Sequence, residues 1–310
     1  MGDLLRRPAA RKECDTVPEL PLATEWFEVQ RPRLRAVAHR MLGSLSEADD
    51  ALQEAWLRVD RADAADVENP AAWLTTVVAR VCLNMLRSRE NRREEPLEAA
   101  RAPVTAAVAD PEEEALLADS VGLALLVVLD TLTPDERLAF VLHDMFAVPF
   151  DEIGTMLEKT PAAARQLASR ARRRVRGTPA PEADLPRQRR VVDAYLAATR
   201  GGDFDGLLAL LHPDVVLRAD RAVVPTPEPL RIAGAHPVAE GAMASMGRAR
   251  CTAAVLGDGR LGLAMLEAGR LRLVLTFTFA DGLITEIDVI ADRERLREVE
   301  VAVLDEPVVG

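Results

Sequence analysis

The segment FDEIGTMLEKTPAAARQLASRARRRVRG, residues Phe150–Gly177, contains two short helical patterns separated by a turn. Thr160 is expected to cap the second helix. Pro161 fits the first position of that helix, where a backbone N–H has no intrahelical partner. Two helices joined by so short a turn form a helix-turn-helix, in which the second helix enters the major groove of DNA. The segment therefore predicts a helical DNA-binding unit.

The second helix has two different faces. Its inward stripe consists of Ala164, Leu167, Ala168, Ala171 and Val175. Its outward face carries Arg165, Gln166, Ser169, Arg170 and Arg173. Outward arginine and glutamine side chains can bind phosphates or base edges, so this outward face and Thr160 are the predicted DNA contacts.

Charge is distributed unevenly along the 310 residues. The segment Lys159–Gly177 contains one lysine, six arginines and no acid, whereas the whole chain has a formal charge of −11. The remaining residues therefore carry −18. A basic helix end alone would be favoured by the helix dipole in any protein. Together with the capped turn before it, the charge favours a local nucleic-acid footprint on an acidic body.

An earlier helical pattern, SEADDALQEAWLRV, combines an apolar stripe with an acidic face. Ser46 is the predicted start of this helix, since acids follow it. The acidic face consists of Asp49, Asp50, Gln53 and Glu54. Such a surface repels DNA and suits a protein partner.

The next helix is predicted to begin with Asn69 as cap and Pro70 in its first turn. Its core face consists of Leu74, Val77, Val78, Val81, Cys82 and Met85. Its other face consists of Trp73, Thr76, Arg80, Asn84 and Arg87, and it continues into Arg89, Arg92 and Arg93. An aromatic ring among polar and arginine side chains is typical of surfaces that bind single-stranded or melted DNA. Trp73 could equally belong to the core.

The C-terminal part follows another pattern. After two helices and a strand come a proline-rich loop, a helix and runs of Val, Leu, Ile, Phe and Thr separated by Gly257–Gly259, Gly269 and Asp281-Gly282. These runs predict antiparallel strands and an α+β domain. We divide the chain into a flexible tail at 1–21, helical units at 22–93 and 111–177, linkers at 94–110 and 178–186, and the α+β domain at 187–310.

The composition excludes several classes of protein. No apolar run is long enough to cross a bilayer and no signal peptide is recognisable, so a cytoplasmic location is expected. The cysteines Cys14, Cys82 and Cys251 have no spacing typical of zinc sites or disulfide frameworks. We expect no metal and no cofactor.

The two helical units resemble region 2 and region 4 of σ70-type sigma factors of the extracytoplasmic-function (ECF) class. The region 2 likeness rests on SEADDALQEAWLRV and NPAAWLTTVVARVCLNMLRSR, and the region 4 likeness on the segment from Thr131 to Val175. The resemblance implies that Asp49, Asp50, Gln53 and Glu54 bind the β′ clamp helices of core RNA polymerase and that region 4 meets the β flap. It implies that Trp73, Thr76, Arg80, Asn84 and Arg87 read the −10 element of promoter DNA. It also implies that Thr160, Arg165, Gln166, Ser169, Arg170 and Arg173 read the −35 element. Many relatives have asparagine at the position of Arg80, and serine at that of Pro149.

The third domain resembles SnoaL-like members of the NTF2-like cone fold. The series of three domains is similar to the ECF41 (SigJ-like) subgroup, in which the C-terminal extension modulates the sigma domains in cis. The positions that correspond to the regulatory motifs of this subgroup are Asp220, Arg221, Asp292, Arg295 and Leu296. The motifs themselves differ here, and the subgroup's W-L-P-E-P stretch is missing from the first linker.

The sequence leaves open an alternative to a sigma factor. The chain could be a helix-turn-helix regulator fused to an NTF2-like domain that binds a small ligand or acts as a cyclase or isomerase. Candidate bases for such chemistry are His212, Asp214, Asp220, His236 and Asp288. We favour a non-enzymatic sigma factor, because residues 212–214 are expected in a turn before a strand and Asp288 on a strand's outer face.

Overall fold

The computed structural model describes residues 22–62, 67–94, 120–177, 184–223 and 228–304. The predicted tail 1–21, residues 95–110 of the first linker and residues 178–183 of the second lie outside these ranges. The predicted order of two helical units and an α+β domain is confirmed.

Three helices form the first unit: α1 (Leu22–Leu42), α2 (Leu45–Asp60) and α3 (Pro70–Glu94). The predicted core face of α3 is buried, with Val77 and Met85 only partly so, and the Asn69 side chain accepts the Ala72 N–H at 3.1 Å as the predicted cap. Ser44, rather than Ser46, precedes α2. Gly43 has a φ of 81° at the end of α1 and Ser44 is already extended, so the next helix begins two residues earlier than predicted.

The second unit contains α4 (Ser120–Thr131), α5 (Pro134–Phe140) with a π-helical turn (Val141–Met145), α6 (Phe150–Leu157) and α7 (Pro161–Arg176). Thr133 and Glu136 form a capping box at α5. The Thr160 hydroxyl accepts the Ala163 N–H at 3.2 Å, which confirms the predicted start of α7. A Cβ at Gly154 would lie 2.8 Å from the Lys159 carbonyl oxygen, so the tight turn between α6 and α7 requires glycine there.

The third unit begins with α8 (Leu185–Gly201) and α9 (Phe204–Leu210). Asp184 accepts the Arg187 N–H, so α8 starts before the predicted boundary at residue 187. After β1 (Leu211–Ala219) and β2 (Leu230–Ala233) come α10 (Ala235–Met243) and α11 (Met246–Ala249). The remaining elements are β3 (Thr252–Gly257), β4 (Arg260–Glu267), β5 (Arg270–Ala280), β6 (Leu283–Ile290), α12 (Arg293–Glu298) and β7 (Val301–Val303).

The strands form one sheet in the order β2-β1-β6-β5-β4-β3-β7. The predicted meander from β3 to β6 is antiparallel, whereas β1 pairs with β6 in parallel. The turn predicted at 212–214 is wrong, since these residues lie within β1. Their pairing with β6 is irregular between Leu211 and Val216, and Pro213 has no N–H to donate.

Successive side chains of a strand point to opposite faces of the sheet. Apolar side chains lie on both faces here, and each face packs against helices. One face packs with α8, where the rings of Tyr195 and Phe277 are 5.4 Å apart. The opposite face belongs to the hydrophobic core of the helical units, and its members are Ala253, Val255, Ala264, Leu266, Val274, Ile290, Val299 and Val301. This shared core joins the α+β domain to the helical units.

Candidate nucleic-acid interface

The acidic face of α2 is exposed as predicted, with Asp49, Asp50, Gln53 and Glu54 all on the surface. Arg35 donates to both carboxylate oxygens of Asp49, at 2.8 and 3.0 Å, and Arg58 pairs with Glu54. Leu57 lies on the same face and is 47% exposed. Sequence reasoning missed Leu57, although it follows Gln53 and Glu54 at helical spacing. Acidic groups beside an exposed apolar side chain suit a protein surface.

The predicted DNA face of α3 is only partly free. Arg80 and Asn84 are exposed, while Trp73 is half-buried and packs against the core. The Thr76 hydroxyl donates to the Ala72 carbonyl at 2.9 Å, within the helix. Arg87 is exposed but lies 2.9 Å from Asp135 of α5.

Arg89 does not belong to this surface. It is 6% exposed, donates to the Leu42 carbonyl at 3.3 Å and pairs with Glu47. The unbonded carbonyls at the end of α1 carry partial negative charge, which favours a cation there. Arg89 therefore joins α3 to α1 and α2 instead of extending the basic surface.

The outward face of α7 is exposed at Arg165, Gln166, Ser169, Arg170 and Arg173. Its inward stripe is buried, with Val175 partly so. The Arg165 guanidinium lies 5.2 Å from the ring centre of Phe150 in α6, which orients this side chain by a cation–π contact. Thr160 is engaged as the helix cap.

Two acids in the first turn of α5 neutralise cations of both predicted DNA faces. Asp135 binds Arg87 and lies 3.5 Å from Lys159. Glu136 lies 3.2 Å from Arg170 and 3.6 Å from Arg174. Neither acid stands out in the sequence as part of a DNA face, although a capping pattern marks their position.

A groove of about 530 Å³ opens where α3 meets α5 and α7. Its lining includes Arg87 from one predicted DNA face and Gln166 and Arg170 from the other. The two faces, separate in sequence, therefore share one groove.

Four of the five predicted regulatory residues come together. Asp220 accepts the N–H groups of Ala291 and Asp292, each at 2.8 Å, and lies 3.7 Å from Arg295. Asp292 caps α12, and Leu296 packs against the shared core. Arg221 is exposed in the turn after β1.

The candidate catalytic groups have local partners. His236 stacks edge-on against Phe204 at 4.9 Å, and Asp288 lies 3.8 Å from Arg218. His212 accepts the Asp214 N–H at 3.1 Å, and Asp220 is occupied by backbone donors. Within the described ranges there is no cluster of three or more His, Cys, Asp or Glu side chains that could hold a metal ion.

Comparison with known proteins identifies the two helical units. Residues 26–92 match the family model for sigma-70 region 2, and residues 122–175 match that for sigma-70 region 4. The ECF RNA polymerase sigma factor SigJ of Mycobacterium tuberculosis is 45% identical over 63% of this chain and 64% of its own length. The probable ECF sigma factor SigI of the same species is 37% identical over 64% of this chain and 70% of its own. The chain belongs to the ECF sigma factor family.

A crystal structure of M. tuberculosis SigJ is 32% identical to this sigma factor, covers 88% of it and superimposes with a TM-score of 0.43. In this sigma factor, α1–α3 correspond to region 2 and α4–α7 to region 4. None of the helices among its described residues is long and apolar enough to cross a membrane.

A buried arginine of region 4 connects it to region 2 of the sigma factor. Arg137 in α5 is 2% exposed, and its Nε and Nη2 both donate to the Arg40 carbonyl at 3.2 Å. Its Nη1 lies 3.7 Å from Asp130 in α4. Burial lowers the pKa of Arg137 to about 10, because the charged form loses hydration. No sequence pattern distinguished this arginine from the many exposed ones.

His39, near the end of α1, should make the sigma factor's stability depend on pH. Burial, then the charges of Arg40, Arg137 and Arg35, lower the pKa of His39 from 6.5 to about 4. In the unfolded chain His39 binds a proton below about pH 6.5, whereas in the folded chain it does so only near pH 4. The contribution of neutral His39 to the free energy of unfolding is therefore fully present above pH 6.5 and is lost as the pH falls towards 4.

Urea unfolding at pH 7 and pH 5 measures this effect. Between these values, wild type should lose more free energy of unfolding than His39→Gln. His236→Gln, at an exposed position, should lose as much as wild type. Equal losses for wild type and His39→Gln would contradict the assignment.

Proposed function

We propose that this sigma factor binds core RNA polymerase through the acidic face of α2 and directs initiation at promoters read by α3 and α7. We also propose that its C-terminal domain modulates this activity in cis and catalyses no reaction. The observation that carries the proposal is the match of residues 26–92 and 122–175 to sigma-70 regions 2 and 4. In this structure Arg87 of one predicted DNA face lines the same groove as Gln166 and Arg170 of the other.

The distance between promoter elements argues that initiation needs another arrangement. The −10 and −35 elements are separated by about 25 base pairs, or roughly 85 Å at about 3.4 Å per step. Side chains that line one groove cannot reach both elements at once. We infer that the described arrangement is a closed state and that regions 2 and 4 separate on promoter-bound polymerase.

Charge supports the same interpretation. Asp135 and Glu136 present carboxylates to Arg87, Lys159, Arg170 and Arg174, as DNA phosphates would. Polymerase binding would favour the open state only if it makes contacts that the closed state lacks. The C-terminal domain favours the closed state, since its sheet shares a hydrophobic core with the helical units.

Run-off transcription with core polymerase tests the proposal, using the full-length chain and a version ending at Arg176. We expect specific initiation by at least one of them, with different yields. Failure of both would refute the sigma function, and equal yields would refute regulation in cis. Asp50→Lys should weaken binding of full-length protein to polymerase at least tenfold. Glu298→Lys, the same charge reversal on an exposed residue of α12, should not.

Two arginines of α7 should have different roles in DNA binding, one in sequence preference and one in overall affinity. Arg165 is held over Phe150 near the start of the helix, so Arg165→Ala should change the preference for −35 sequences. Arg173→Ala should weaken binding to all promoters and reduce the salt dependence by about one phosphate contact. Binding of holoenzyme to a set of −35 variants at several salt concentrations measures both effects. The reverse pattern would show that the two roles are exchanged.

A further inference from the structure

We propose that the turn between β4 and β5 is a latch for the closed state and that the backbone contact between Gly269 and Gly43 is its release point. This inference rests on the proposed function, since it names the contact through which the C-terminal domain acts on region 2.

The two glycines meet backbone to backbone. Gly269 has a φ of 70° in the hairpin turn, and Gly43 has a φ of 81° at the end of α1. A Cβ on Gly269 would lie 2.5 Å from the Gly43 carbonyl carbon and 2.7 Å from the Leu42 oxygen. A Cβ on Gly43 would lie 2.9 Å from the Gly269 oxygen. The nearest of these neighbours are main-chain atoms, which cannot swing aside as the end of a long side chain can. A Cβ on Gly43 would also lie 3.3 Å from Nη2 of Arg137.

A hydrogen bond next to this contact ties the same turn to region 4. The Leu271 N–H donates to Asp130 Oδ2 at 2.9 Å, across 141 residues of sequence. The other oxygen of Asp130 faces Arg137, which in turn holds the Arg40 carbonyl at the end of α1. One turn of the C-terminal domain therefore touches region 2 directly and region 4 through Asp130.

The position of the turn explains why it can control opening. Elsewhere the sheet packs chiefly on α4 and α7, both in region 4. The turn is where the C-terminal domain reaches the end of α1 in region 2. Loss of this contact loosens the turn, including the Leu271 bond to Asp130, and weakens the hold on region 2, while the rest of the sheet stays packed on α4 and α7.

The test uses full-length Gly269→Ala and Gly43→Ala, which add a methyl group to the same contact from opposite sides. Gly202→Ala is the matched control, since Gly202 has a φ of 72° but its added Cβ would meet only side-chain ends at 3.7 Å. The control therefore includes the strain of placing alanine at a positive φ, but not the clash with another main chain. Hydrogen exchange of the Leu271 amide reports the latch. The amides of Ala291 and Asp292, bound to Asp220, report the integrity of the C-terminal domain.

We expect at least tenfold faster exchange at Leu271 and a larger radius of gyration in both latch variants, with Ala291 and Asp292 unchanged. The double variant should add little to either single one, because both break the same contact. Unchanged exchange at Leu271, or an equal increase in Gly202→Ala, would overturn the latch. Faster exchange at Ala291 and Asp292 together with Leu271 would overturn it as well, since the domain itself would then be unfolding.

Run-off transcription by the same variants separates the two proposals. Initiation that rises at least threefold in both latch variants supports the latch as the regulatory contact, and unchanged initiation overturns that role. No initiation by wild type or any variant would refute the sigma function. The exchange data would still decide whether the turn holds the closed state.

Discussion

Arg137→Met is expected to lower the free energy of unfolding of the full-length chain by about 3–5 kcal/mol. The substitution removes the Arg137 guanidinium from Asp130, whose side chain is 10% exposed, and it removes the two donors that Arg137 gives to the Arg40 carbonyl. A buried carboxylate that loses a nearby cation keeps its desolvation penalty and loses that part of the compensating attraction. Urea unfolding at pH 7 measures the change.

Two variants test whether the charge pair causes this loss. Arg137→Met combined with Asp130→Asn should be more stable than Arg137→Met alone, because the buried carboxylate that lost the Arg137 guanidinium is replaced by a neutral amide, which can still accept from Leu271. Arg173→Met, at an exposed position of α7, should change the free energy of unfolding by less than about 0.5 kcal/mol. A loss for Arg137→Met as small as that of Arg173→Met would show that the buried pair adds nothing.

Val274→Asp is expected to separate the sheet from the helical units. Val274 is fully buried in the shared core, where a carboxylate has no partner. Burying it should cost about 4 kcal/mol or more, and opening the interface would return the carboxylate to water. We expect a larger radius of gyration and more initiation by full-length protein.

Thr278→Asp is the matched control for this substitution. Thr278 lies on the same face of β5, four residues further along, but it is exposed. It should leave the radius of gyration, the unfolding transition and transcription close to wild type. Similar changes in both variants would mean that β5 tolerates no acid, and they would remove the evidence for an interface effect.

Much of the local structure could be predicted from residue patterns. Most of the apolar stripes of α3 and α7 are buried where their spacing placed them, and Asn69 and Thr160 cap their helices as expected. These features depend on neighbours three or four residues away, so a sequence window contains all the information that they require. The exposure of Asp50, Arg80 and Arg165 follows from the same periodicity.

Residue patterns could not predict which arginines of the candidate site are exposed and which are buried or paired. Arg89 fits the basic surface by spacing, yet it is buried against Leu42, and Arg87 is paired with Asp135 from a helix 48 residues away. Periodicity separates apolar from polar faces, but it does not say which distant group a polar face meets.

By itself, the sequence determined most of the helices and strands and the two faces predicted to bind DNA, because each arises from interactions within a few residues. Only the tertiary structure decided that these faces close on one groove. It also decided that Gly43 meets Gly269 and that Asp130 holds Leu271. The physical reason is that such contacts join main-chain atoms and charges far apart in the chain. Their energies depend on the burial and geometry that the packed domains create.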